Sequence, residues 1–173
     1  MNRPAIAALL ALPLAFAATS ALAEWRVDNG LAVVEPAETN SNLQLFAVAC
    51  GDPFQLELYA ENGPVLPQVW DGPADYFYQP GKIIATIDGR DFPLVAAGSE
   101  YAVVLYSEGT VAENHMAPVD RELIRAMRAG ATLTFHFDIS AANASDGSPY
   151  ETFARVPLAG AADALGSALA ACL

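Results

Sequence analysis

Basic residues are scarce in this chain of 173 residues: 8 Lys and Arg stand against 20 Asp and Glu, and lysine occurs once, at Lys82. The formal charge of −12 excludes nucleic acid as a partner, because such binding needs clustered cations to displace phosphate counterions. Histidine occurs twice, and His115, near Glu113, is far from His136, near Asp138, so the close ligand spacing of a zinc site is missing. The sequence calls for no metal and no cofactor. It has no G-x-S-x-G elbow, and Asn143 with Asp146-Gly147-Ser148 lacks the carboxylate run and distal glutamate of a calcium loop. No catalytic residue set emerges. Past the first twenty or so residues nothing reaches the ~18 uninterrupted apolar residues of a membrane helix.

What is present begins with a targeting segment. Residues 1–23 (MNRPAIAALLALPLAFAATSALA) carry one charge, Arg3, an apolar run and a small-x-small site at Ala21-Leu22-Ala23. A signal peptide over 1–23 and a single β-rich domain over 24–173, periplasmic or secreted, are the expectation. Loss of Arg3 leaves 7 basic against 20 acidic residues, a formal charge of −13. The two cysteines, Cys50 and Cys172, then share an oxidising compartment and are expected to pair. Closing so long a loop destabilises the unfolded chain by roughly 4–5 kcal/mol in the chain-entropy picture.

Alternation and turn signals predict mostly strands. Trp25–Val34 reads as a strand or the start of a bent hairpin around Asn29-Gly30, and Pro36–Asn42 as a polar connection. Leu43–Cys50 (LQLFAVAC) is apolar on both faces, like a central strand, whereas Phe54–Tyr59 alternates like a half-exposed one. Lys82–Ile87 and Phe92–Ala97 flank Asp88-Gly89 as a hairpin, and Tyr101–Tyr106, Thr132–Ile139 and Thr152–Leu158 add further strands. One helix is expected from about Pro118 to Gly130, with Leu123, Ile124 and Met127 inward. A second begins near Gly160, with Leu165, Leu169 and Cys172 on one stripe. The fold class is therefore mainly β: an antiparallel sandwich or barrel-like domain with two short helices, its C-terminal helix disulfide-linked to an early strand.

The order Trp25, LQLFAVAC, IDGRDFPL, LIRAMRAGATLTFHF and FARVPLAGAADALGSALAAC resembles small proteobacterial periplasmic proteins, namely the invasion-associated locus B family and periplasmic accessory proteins of type VI secretion. The resemblance spans most of residues 25–173. It implies an exported β-sandwich-like domain and brings no active-site residues with it.

Two segments are candidate contact surfaces. Asn62–Gly81 sets Trp70, Tyr76, Phe77 and Tyr78 between four prolines, a stiff aromatic loop suited to a polypeptide or glycan partner or, equally, to capping an open end of the sandwich. Arg121, Arg125 and Arg128, at offsets of four and three, share one helix face. That face either docks an acidic partner or anionic headgroup, or is simply solvated. The functional expectation is an exported, non-enzymatic binding or accessory protein of the cell envelope; the alternatives are a small hydrolase, or an inhibitor or assembly factor of a secretion apparatus.

Overall fold

A computed structural model describes residues 23–41, 43–60, 83–98, 102–110, 115–137 and 152–173. Two Xxx-Gly turns organise the strands. Asn29 and Gly30 have φ of 48° and 84°, Asp88 and Gly89 have 49° and 85°, the paired positive values that match a two-residue turn to the twist of its strands. The first joins β1 (Arg26–Asp28) to β2 (Leu31–Val34), resolving that segment as a true hairpin. The second joins β6 (Ile83–Ile87) to β7 (Arg90–Gly98).

Strand β7 is the corner of the fold. Its residues Arg90–Leu94 pair with β6, and Val95–Gly98 pair with β8 (Ala102–Tyr106). Counting outward from the closing pair Ile87–Arg90, the pair Ile84–Pro93 falls at a non-hydrogen-bonded position, so the missing proline N–H costs the β6 ladder nothing. One face runs β1-β2-β4-β5-β8 into the second half of β7, with β4 at Leu43–Cys50 and β5 at Phe54–Ala60. The other runs from the first half of β7 through β6, β11 (Thr132–Phe137) and β12 (Thr152–Pro157) to the two-residue β3 (Glu38–Thr39). Every pairing is antiparallel.

The two faces meet through aromatic rings. Phe46 on β4 contacts Phe135 on β11 edge to face at 4.9 Å, and Trp25 contacts Phe46 at 5.9 Å. At the seam opposite β7, the Trp25 indole N–H donates to the Pro157 carbonyl at 2.7 Å, and the chain crosses between sheets where the Ala37 N–H donates to the Arg155 carbonyl at 2.8 Å. The expected alternation holds on β11, where Leu133, Phe135 and Phe137 are buried and Thr132, Thr134 and His136 are half-exposed.

Two helices complete the core: α1 (Arg121–Ala129) buries Leu123, Ile124 and Met127, and α2 (Ala161–Ala168) buries Ala161, Ala164 and Leu165. Helix α1 starts later than Pro118 suggested. Its cap is Asp120, whose carboxylate accepts from the Glu122 N–H at 2.8 Å, while Pro118 follows a short strand β10 (His115–Ala117) paired with β9 (Glu108–Thr110). The helix ends at Gly130, whose N–H donates to the Ala126 carbonyl at 2.8 Å, and only glycine fits there: a Cβ would lie 2.6 Å from Ile87 Cγ2. Helix α2 stops at Ala168, so Cys172 lies beyond the helix, in turns held by its N–H donating to the Leu169 carbonyl at 2.9 Å. The Cys50–Cys172 disulfide is formed and fastens this terminal segment, four residues past the helix, to the end of β4. No helix among the described residues is long and apolar enough to cross a membrane.

Candidate functional site

The burial of Leu123, Ile124 and Met127 turns the opposite face of α1 outward, and that face carries Arg121, Arg125 and Arg128. The three arginines line one cleft of about 230 Å³ together with Phe54, Ile124 and Leu173. Phe54 arrives from the start of β5, four residues after Cys50, and Leu173 follows Cys172, so the disulfide joins the segments that supply two of the cleft's walls. Arg121 lies with its guanidinium 5.3 Å from the Phe54 ring centroid, and its Nη2 donates to the Cys172 carbonyl at 3.3 Å. Leu173 is 50% exposed, one of two exposed large apolar residues among those described, which leaves a nonpolar surface open beside the cations.

The pairing of the arginines separates this face from the rest of the protein. Arg26 has Glu35 and Arg155 has Glu38 as single carboxylate partners. Arg90, from the β6–β7 hairpin, and Arg125 share Glu122, at 2.8 and 3.2 Å. The Arg90 guanidinium first, and Arg125 second, hold the Glu122 carboxyl below the usual carboxylate range. Arg121 and Arg128 have no carboxylate partner among the described residues. Arg128 is in the last turn of α1, where the helix dipole favours a cation, but Arg121 is in the first turn, where the dipole opposes one by ~0.3–1 kcal/mol. Helix stability therefore does not account for Arg121. Two guanidiniums without a carboxylate partner among the described residues, set over an apolar floor, are suited to an anionic group with a nonpolar neighbour.

The structure thus brings the sequence-predicted arginines together. Phe54, Glu122, Arg90 and Leu173 joined them without a sequence signal; only the nearness of Phe54 and Leu173 to the two cysteines points that way in retrospect. Trp70, Tyr76, Phe77 and Tyr78 lie outside the described residues, as do Asn143 and Asp146–Ser148. His115 and His136 occupy different strands, β10 and β11, and no group of three or more potential metal ligands forms among the described residues. Half-burial lowers the His136 pKa; the field of Asp91 opposes that shift and Arg155 adds to it. On the outer face of β5, Glu57 accepts hydrogen bonds from Gln55 and from the Tyr59 hydroxyl, and the latter bond pushes the phenol up to about 12.

No protein-family model matches the chain, and neither a curated protein nor a solved structure is similar to it.

Proposed function

We propose that the chain is an exported, non-enzymatic binding or accessory protein of a bacterial cell envelope, akin to the invasion-associated locus B proteins, that captures an acidic polypeptide segment at the arginine cleft of α1. One observation carries the reading: among the described residues Arg121 and Arg128 lack carboxylate partners while lining the same cleft as Phe54, Ile124 and the exposed Leu173. The charge of the whole chain selects the kind of anion. An exported chain at −13 is repelled by an extended anionic surface such as a bilayer, whereas a short segment reaches the cleft without confronting the rest of the molecule. A volume of about 230 Å³ accommodates an acidic side chain with one apolar neighbour, not a folded surface. The Cys50–Cys172 disulfide supports an oxidising, periplasmic or secreted setting. The aromatic segment around Trp70 and Tyr78 is the second contact surface of this proposal.

The test is a fluorescence anisotropy titration of a labelled Glu-Glu-Phe-Glu-Glu peptide onto the purified protein and onto Arg121→Gln/Arg128→Gln. Saturable binding is expected, weaker at higher salt and about tenfold weaker in the double variant, since two exposed charge pairs contribute up to ~1 kcal/mol each. Equal affinity for both proteins would remove the cleft from the account. Binding to phosphatidylglycerol vesicles in place of the peptide would assign the face to a lipid surface.

A further inference from the structure

We infer that the Cys50–Cys172 bridge gates this cleft, so that partner capture depends on the oxidation state of the disulfide. The inference rests on the anion-binding reading and adds its regulation. Each half of the bridge holds one side of the cleft: Cys50 ends β4 just before the turn that delivers Phe54, and Cys172 presents its carbonyl to Arg121 and precedes Leu173. Leu169, fully buried, anchors the terminal segment to the core. Past that anchor the segment depends on the disulfide, on the packing of the half-buried Cys172 side chain against the core, on N–H bonds from Cys172 and Leu173 back to the Leu169 carbonyl at 2.9 and 3.0 Å, and on the Arg121 contact. Without the covalent tie, terminal residues held by so few bonds fray. Leu173 and the Cys172 carbonyl then leave the cleft while the two sheets and the anchored helix remain.

The chemistry of opening is ordinary thiol–disulfide exchange. Cys50 is exposed and Cys172 half-buried, so a thiolate of an envelope dithiol reductant attacks the Cys50 sulfur. A mixed disulfide forms and Cys172 leaves as a thiolate. The second thiol of the reductant resolves the mixed bond. Two electrons and two protons pass to Cys50 and Cys172, and the reductant departs as a disulfide. Reoxidation by an envelope disulfide oxidant, which takes up the two electrons and two protons and leaves as a dithiol, rebuilds the cleft.

The experiment measures affinity for the labelled Glu-Glu-Phe-Glu-Glu peptide before and after dithiothreitol and again after reoxidation, with near-ultraviolet circular dichroism following the core. Expected is a loss of about tenfold on reduction with the aromatic dichroism retained, recovery on reoxidation, and a loss of the same sign in Leu173→Gly with the bridge intact. Equal affinity in the oxidised and reduced states would overturn the inference. Should reduction unfold the chain, Leu173→Gly decides, and wild-type affinity in that variant overturns it. If the oxidised protein ignores the peptide, the function proposal fails by itself, and the gate is read from phenylglyoxal modification of Arg121: a faster rate after reduction supports it, and an unchanged rate refutes it.

Discussion

Replacing Phe46 with alanine is the sharpest test of how the two sheets are held together. Phe46 is fully buried on β4 and makes edge-to-face contacts with Trp25 at 5.9 Å, near the seam, and with Phe135 at 4.9 Å, across the sandwich. Truncating a buried phenylalanine costs ~3–5 kcal/mol through lost transfer energy and the cavity left behind. Each aromatic pair contributes ~0.5–1.5 kcal/mol beyond burial, which puts Phe46→Ala near the upper end, about 5 kcal/mol. For a domain of this length, one kcal/mol corresponds to ~2–4 °C, so the melting temperature should fall by roughly 10–20 °C in differential scanning calorimetry. Val27→Ala, on the exposed edge strand β1, should stay within about 0.5 kcal/mol of the parent. A Phe46→Ala loss below about 2 kcal/mol would refute the arrangement, because a ring wedged between two sheets cannot be removed so cheaply. A double-mutant cycle with Phe135→Ala should return a coupling of ~0.5–1.5 kcal/mol, locating part of the effect in that contact.

Three further outcomes follow from local geometry. Gly130→Ala drives a methyl to 2.6 Å from Ile87 Cγ2 and 2.9 Å from the Ala126 carbonyl oxygen, and should destabilise by ~1–3 kcal/mol in urea unfolding. The Tyr59 phenol, raised to about 12 chiefly by its hydrogen bond to Glu57, stays neutral in the fold when an unfolded tyrosine ionises. Its contribution to stability is therefore complete below pH ~10 and is lost as pH rises towards 12, and Glu57→Gln should bring the tyrosinate absorbance midpoint back towards 10. Glu122, held below the usual range by Arg90 and then Arg125, works in the opposite direction. Its ion pairs persist above the ordinary carboxylate pKa and are lost as pH falls through the lowered value, and Arg90→Gln should raise the Glu122 midpoint in a carboxyl NMR titration.

The elements with strong local signals were legible before any coordinates. Asp88-Gly89 is a dipeptide whose backbone preference marks a hairpin, Asn29-Gly30 marks a turn that the sequence leaves between a bent strand and a hairpin, and the period of two in Thr132–Phe137 assigns its inward face without reference to a neighbour. The disulfide was legible because only one pairing of two cysteines exists. Short pairings were not. Glu38–Thr39, Glu108–Thr110 and His115–Ala117 owe their extended form to the strands beside them and carry no period long enough to detect. Pro118 was a misleading helix signal, since the Asp120 carboxylate, two residues later, is what satisfies a helical N–H. At the candidate site, the arginine spacing on α1 was visible as a helical repeat. The convergence of Phe54, Arg90 and Leu173 depends on contacts between elements distant in the chain, which no local pattern encodes.

The proposed capture of an acidic segment of another polypeptide on the arginine face of α1 can be read by cross-linking. A photoreactive benzophenylalanine is placed at the exposed Ala129, beside Arg128, in the full chain. Irradiated cells are then analysed by mass spectrometry. Adducts with a second polypeptide are expected, mapped to an acidic stretch with an apolar residue and abolished by adding Arg121→Gln/Arg128→Gln. Adducts confined to the chain itself or to lipid, or polypeptide adducts unchanged by the arginine substitutions, would contradict it.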